Sequence, residues 1–292
     1  MEIWRVNSFT DQPFTGNPAG VVPDADSLSD ESMQLIAAEL NDVSETAFIC
    51  RPSVDDADIR LRYFTSTTEV DLCGHATIAA LYTLAWLGRQ KGRDETRIVR
   101  AQTPVGVLEL GLRFAGDELQ EAVMEQLAPE HAPAPGAKFA AEVLGLPESA
   151  LAADLGVACA STGIWACFVP LNDVSHLARL QIRHDWIQAL WPENDELSGV
   201  YAFAFIDEST TQGRFFSLPR YGIPEDPVTG TASGALGGYL IANGRMPKSG
   251  VLTARQGFEM GRGGQVMVAQ NPNGRMRIGG HAVPIFRGEL MV

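Results

Sequence analysis

The sequence predicts an α/β (α+β) protein of two pseudo-symmetric domains, each a bent, barrel-like sheet around one central helix. Three observations carry that prediction. The chain has 292 residues, more than one ordinary domain holds. Its halves share one long internal match rather than a short-period array. Two helical segments, one in each half, are apolar on every side, which marks buried helices that a sheet must enclose.

The internal match sets the order of elements. In the first half, LRYFTSTTEVDLCGHATIAALYTLAWLGR presents Phe64, Asp71, Gly74, His75, Ala76, Gly88 and Arg89. In the second, GRFFSLPRYGIPEDPVTGTASGALGGYLIANGR presents Phe216, Asp226, Gly230, Thr231, Ala232, Gly244 and Arg245. The interval from Gly74 to Gly88 equals that from Gly230 to Gly244, and an arginine follows each second glycine. Each unit therefore reads as an aromatic strand, a loop ending in Gly, and a helix stopped by a Gly in the αL cap position, at about residues 75–87 and 231–243.

The segments RIVRAQTPVGVLELGL and GVLTARQGFEMGRGGQVMVA carry β-branched residues around Gly turns and read as hairpins that continue each sheet. Upstream, DVSETAFI aligns loosely with ELSGVYAF, setting Glu45 opposite Gly199. The duplicated scaffold is thus unequal at one position, with a carboxylate in one half and no side chain in the other. A Pro, Ala and Gly cluster at 128–137 reads as a linker leading into a short helix. The expected domains are 1–125, carrying Glu45 and His75, and 126–292, carrying Asp226 and Thr231, with a strand at about 278–292 returning to the first.

Composition narrows the function classes. Hydrophobic residues make up 45% and charged residues 20%, as in folded soluble proteins. The net charge of −14 repels phosphate backbones and anionic membranes, so neither nucleic acid nor a membrane surface is an expected partner. The start MEIWRVNSF lacks a basic-then-apolar leader pattern, and a cytoplasmic location is expected. Cys50, Cys73, Cys159 and Cys167 show no C-x-x-C spacing and the histidines no H-x-x-x-H pairing, so no metal is expected.

Chemistry concentrates at the two helix starts. A helix N-terminus offers backbone N–H groups to an anion, so GHAT (74–77) and GTAS (230–233) are expected to hold a carboxylate between them. The alternative is that Gly74 and Gly230 serve tight turns and that Thr231 caps its helix. Glu45 stands where a polar turn runs into an apolar strand, placing a carboxylate beside buried residues as a general base requires; a local turn role is the alternative. His75, in the first helical turn, is a candidate to share a proton, or else a capping histidine. Asp226, in EDPVTG, is either a site acid or a loop acid paired with a cation or the helix dipole.

Taken together, VNSFTDQPFTGNPAGVV, NDVSETAFI, LRYFTSTTEVDLCGHATIAA, YGIPEDPVTGTASGALGGYL and GGHAVPIFRGEL strongly resemble the phenazine-biosynthesis PhzF-like proteins, within the diaminopimelate epimerase-like fold. The resemblance spans nearly the whole chain. It implies a cofactor-independent isomerase in biosynthetic metabolism, with its site between two domains and a homodimeric state. It also implies that Glu45 moves the proton, that His75 and Asp226 assist, and that Gly74, Gly230 and Thr231 hold a small carboxylate-bearing, conjugated or cyclic substrate. Thr231 replaces the Ser common in the family, adding a methyl group to the pocket.

Two other readings compete. A two-base thiol racemase or epimerase would use Cys73, but the second unit has no thiol near Gly230, and Cys73 after Leu72 reads as a packing thiol. A noncatalytic ligand-binding protein on the same fold would bind without exchange.

Overall fold

The computed structural model describes residues 1–292 apart from 93, 134, 222 and 292. In chain order the first elements are β1 (Glu2–Ser8), β2 (Asn17–Val22), α1 (Asp30–Glu39), β3 (Glu45–Cys50), β4 (Ile59–Phe64), β5 (Glu69–Val70), α2 (Gly74–Trp86), β6 (Thr96–Thr103), β7 (Gly106–Ala115) and β8 (Glu118–Glu125). There follow β9 (Glu130–Pro133), α3 (Ala137–Leu144), β10 (Ala158–Ser161), β11 (Trp165–Pro170), β12 (Leu197–Asp207) and β13 (Thr210–Ser217). The chain closes with α4 (Gly230–Ala242), β14 (Val251–Gln256), β15 (Gly264–Gln270), β16 (Met276–Gly280) and β17 (Ala282–Glu289). Two compact units result: Met1–Glu125 with Gly279–Val292, and Gln126–Ile278.

In the first unit the strands run β17, β1, β2, β3, β4, β6, β7, β8. Their pairings are antiparallel twice, then parallel, antiparallel and parallel, then antiparallel to the end. Helix α2 touches both ends of that order, β17 and β8, as well as β1, β2 and β3, so the sheet curls around it. The reason lies in its sequence: every residue from Gly74 through Leu84 is buried, leaving no polar face for water. The helix stops at Gly88, which takes the left-handed conformation (φ +70°) that glycine tolerates best.

The second unit repeats the scheme. Its strands run β9, β10, β11, β12, β13, β14, β15, with the same succession of antiparallel and parallel pairings from the start. Helix α4 packs against β9 and β15, the two ends of the order, and against β10 and β11 between them. It is buried from Ala232 through Leu240 and stops at Gly244, with φ +68°. Each sheet also carries an outer apolar layer. In the first unit α1 lays Met33, Ile36 and Ala37 on Val22, Phe48 and Phe64; in the second α3 and two 3-10 turns cover β11 and β12 with Val143, Leu144, Leu177, Ile187 and Leu190.

Ion pairs are duplicated too. Arg62 on β4 forms a bidentate pair with Glu69 and lies over Phe64, while Arg214 on β13 forms a bidentate pair with Glu225 and lies over Phe216. Just past each helix, Arg89 pairs with Asp24, and Arg245 with Asp154.

The segment at 128–137 departs from the expected linker. Its core is β9, an edge strand paired antiparallel with β10 from Glu130 opposite Ser161 to Pro133 opposite Ala158. Proline is tolerated there because an edge strand needs hydrogen bonds on one side only. The backbone of Gln126 and Leu127 is already bonded to Met276 and Thr162, so this stretch is ordered by strand pairing rather than left as a spacer. Ala134 lies outside the described residues, and the short helix expected after the cluster is α3.

Candidate active site

In the first unit the structure brings Glu45, His75, Cys73 and Ser44 together. Glu45 opens β3, whose parallel pairing with β2 sets it opposite Ala19. His75 is the second residue of α2. The start of that helix is tied down: Ser8 donates from its hydroxyl to the His75 carbonyl at 2.6 Å, and Thr77 donates to the Cys73 carbonyl at 2.7 Å. Tyr63 shares a 2.6 Å hydrogen bond with Thr77, and burial pushes its phenol above the ordinary tyrosine range, so it stays neutral.

The imidazole sits at the centre of this group. Its Nε2 lies 3.3 Å from Oε2 of Glu45 and 3.2 Å from Oγ of Ser44, while Sγ of Cys73 lies 3.4 Å from Nδ1 and 4.0 Å from Nε2. His75 is therefore no backbone cap: its ring is held by side chains. The Glu45 carboxylate is 20% exposed, yet its Oε2 is buried and accepts no aligned hydrogen bond among the described residues. The 3.3 Å approach to the ring brings charge close without the geometry of a hydrogen bond.

Gly74, the first residue of α2, follows Cys73, whose extended backbone (φ −143°, ψ 113°) leads into the helix and whose side chain makes no cap hydrogen bond to the first-turn amides. Those amides are the group through which a helix end attracts an anion.

In the second unit the corresponding helix start is built from other residues. Thr229 is the residue before α4, its hydroxyl donates to Asp226 Oδ2 at 2.6 Å, and its own side chain makes no cap hydrogen bond to the helix amides. Gln256, on β14, donates to the Asp226 carbonyl at 2.7 Å and accepts from the Thr229 N–H at 3.1 Å. Asp226 thus braces the loop into α4. Thr231, one residue into the helix, does not cap it; its carbonyl accepts from Thr162. Gly222, within the motif leading to Asp226, lies outside the described residues.

Strand register places the asymmetry that the sequence suggested. Thr46 pairs with Phe64 across β3 and β4, and Val200 with Phe216 across β12 and β13. Glu45 and Gly199 therefore hold equivalent places, opposite Ala19 and Ala166 on their parallel neighbours. A Cβ at Gly199 would stand 2.3 Å from the Phe216 carbonyl oxygen, so that place in the second unit has no room for any side chain. By the same equivalence Thr229 occupies the place of Cys73, and Thr231 that of His75.

Sequence reasoning missed the partners of the imidazole. Cys73, expected as a packing thiol, is buried but touches His75. The signal was the Cys-x-His spacing: an extended residue followed by a helical turn folds the two side chains onto each other. Ser44 carried no signal beyond its place before Glu45. Cys159 and Cys167 lie opposite each other on β10 and β11, both fully buried.

Comparison with known proteins defines first the class of protein. Across its whole length the chain superposes on the crystal structure of a PhzF-family phenazine biosynthesis protein from Bacillus anthracis with a TM-score of 0.88 at 31% identity, covering 99% of that chain. It also superposes on a probable proline racemase from Agrobacterium radiobacter K84 with a TM-score of 0.67, covering 93% of that chain; at 13% identity this likeness shows the fold alone. The fold is that of the diaminopimelate epimerase-like isomerases and epimerases.

The family follows from the sequence comparisons. The model of the phenazine biosynthesis-like family, PhzC-PhzF, matches residues 6–288, and the chain belongs to that family. An uncharacterized isomerase of Bacillus subtilis, YfhB, is 35% identical over 278 residues, 94% of this chain and 92% of its own. The chain is an isomerase of the PhzF-like kind. Among the described residues, no helix is long and apolar enough to cross a membrane.

Proposed function

We propose that this isomerase moves a proton on a small, carboxylate-bearing, conjugated or cyclic metabolite, with Glu45 as the acid/base and no cofactor. The observation that supports this most is the buried Oε2 of Glu45, close to an imidazole yet accepting no aligned hydrogen bond. A buried polar atom in that state calls for an explanation, and a lone pair kept for substrate protons supplies one.

In the proposed step the Glu45 carboxylate takes a proton from a substrate carbon, and the C–H electron pair enters the conjugated system. The resulting carboxylic acid, partly exposed and so able to trade its proton with solvent, then delivers one proton to another carbon, so the proton count of the substrate is unchanged. His75 lies beside the carboxylate before the first event and shares the proton of the carboxylic acid between the two. The amides at Gly74 attract the substrate carboxylate. For Asp226, Gly230 and Thr231 we propose assistance and substrate holding, as the family motif assigns them, along with a biosynthetic role, a homodimer and a cytoplasmic setting.

The test is solvent exchange. A panel of small cyclic unsaturated carboxylates is incubated with the protein in D2O, and deuterium uptake is followed by mass spectrometry. Wild-type protein is expected to label at least one compound, and Glu45→Gln to lower the rate by about 10²–10⁴-fold, the span of one general acid/base. Exchange that survives Glu45→Gln but is lost in Cys73→Ala would move the chemistry to the thiol, and binding without exchange would make the chain a ligand-binding protein.

A further inference from the structure

We propose that Glu45, Cys73 and His75 form a binding site for a thiophilic divalent cation, zinc above all, and that filling it switches off proton transfer. The inhibitory part rests on the role given to Glu45 above; the binding part does not. Proton transfer by Glu45 leaves unexplained why a buried thiol is held against the same imidazole.

The donor set suits zinc. A thiolate, an imidazole and a carboxylate combine the soft and borderline ligands that zinc prefers, whereas magnesium and calcium favour sets made of oxygen. One ligand atom from each residue lies within 4.8 Å of the others. Zinc bonds of about 2.0–2.3 Å at tetrahedral angles put neighbouring donors about 3.3–3.6 Å apart. The pair Nε2 and Oε2 is already at 3.3 Å, while Sγ lies 3.4 Å from Nδ1 and 4.0 Å from Nε2, so the thiol must swing to the Nε2 side by side-chain rotation for one ion to meet all three donors.

The frame is rigid where it needs to be. Cys73 and His75 sit on a helix start tied down by Ser8 and Thr77, and Glu45 on the first residue of a strand, so the backbone is in place and the movement that binding asks for is rotation of the thiol. Ser44 Oγ, 3.2 Å from Nε2, or a water completes four ligands. The partly exposed carboxylate leaves an approach for an ion. On binding, the Cys73 S–H bond breaks, its proton leaves to solvent, and an S–Zn bond forms, so about one proton is released per ion from this group. The same ion takes the Glu45 lone pair that the reaction requires.

Cobalt reports on such a site directly. Protein stripped with a chelator and kept reduced is titrated with Co²⁺. Expected are visible bands of four-coordinate cobalt and a thiolate-to-cobalt charge-transfer band, saturating at one equivalent and displaced by one equivalent of Zn²⁺. Cys73→Ser is expected to remove the charge-transfer band, Glu45→Gln to weaken binding at least tenfold, and Cys50→Ser to change neither. X-ray absorption on zinc-loaded wild type needs no variant and is expected to show one sulfur at about 2.3 Å with nitrogen and oxygen neighbours.

A cobalt spectrum without a thiolate band, or one unchanged in Cys73→Ser, overturns the site. Zinc that binds yet leaves deuterium exchange untouched overturns the switch. Loss of exchange in Glu45→Gln with no cobalt site would separate the two ideas, retaining the proton-transfer reading and rejecting this one.

Discussion

Gly199→Ala offers the sharpest test of why only one half carries the carboxylate. The added methyl would sit 2.3 Å from the Phe216 carbonyl oxygen and 2.8 Å from Cζ of Phe215. Ordinary carbon contacts begin near 3.4 Å, so β12 and β13 must part by about an ångström or the strand must twist. Overpacking costs about 1–3 kcal/mol where side chains can yield. Here the nearest obstacle is a backbone oxygen fixed by strand pairing, which puts the cost at about 3 kcal/mol. For a unit of this size that lowers Tm by about 6–12 °C. Urea melts followed by circular dichroism measure it, with Gly156→Ala as control, since nothing lies within 4 Å of that Cβ. Glu45→Ala, at the equivalent place, is expected to cost less than about 1 kcal/mol, because its side chain is partly exposed and its buried oxygen accepts no aligned hydrogen bond. A Gly199→Ala protein within about 0.5 kcal/mol of wild type would refute the claim that this place in the second unit has no room for a side chain.

Three further outcomes are expected. His75→Asn should slow deuterium exchange by about 10–100-fold while leaving far-ultraviolet circular dichroism unchanged, since in the proposed mechanism it removes the group that shares the proton but not the base. Arg62→Met should destabilise the first unit by about 1–3 kcal/mol in urea melts, because Arg62 is 11% exposed and its loss leaves Glu69 and Asp30 without their shared partner. The hydrogen bond from Arg89 holds the Asp24 carboxyl below its ordinary 3.8. A carboxyl lowered in the folded state adds stability that is present above the unfolded value and lost as pH falls through the folded one. Asp24→Asn should therefore lower the neutral plateau of urea midpoints slightly, converge with wild type in acid, and so flatten the acid limb below about pH 4.

Much of the fold was legible because its strongest signals are local. All-round apolarity marked α2 and α4 as buried, and a glycine after each fixed its end, so both helices begin and end within one residue of the expected bounds. Strand β9 was hidden because proline and alanine carry no strand signal; only pairing with β10 makes that stretch extended. The outer layer of α3 and the 3-10 turns over β11 and β12 was hidden for a similar reason, since no single segment shows what it packs on. At the site, Glu45 and His75 were visible as residue types in suggestive places. Their approach was not, because it depends on the parallel pairing of β2 with β3, which sets where Glu45 starts its strand. The Cys73 contact needed one backbone conformation, an extended residue just before the helix, that composition does not reveal.

What the two units share and what they do not fall into different physical groups. Shared are the apolar helices, their glycine stops, and the arginine pairs to Glu69 and Glu225 and to Asp24 and Asp154. Different are the places around the helix starts, where Glu45, Cys73 and His75 in one unit answer to Gly199, Thr229 and Thr231 in the other. On the proposed mechanism, stability and chemistry draw on separate residues. Arg214→Met should lower the urea midpoint of the second unit much as Arg62→Met lowers that of the first, with exchange per folded molecule unchanged in both. If either arginine change instead abolished exchange in protein that remained folded, the division between scaffold and chemistry would be wrong, and the arginine pairs would have to be counted among the groups that shape the reaction.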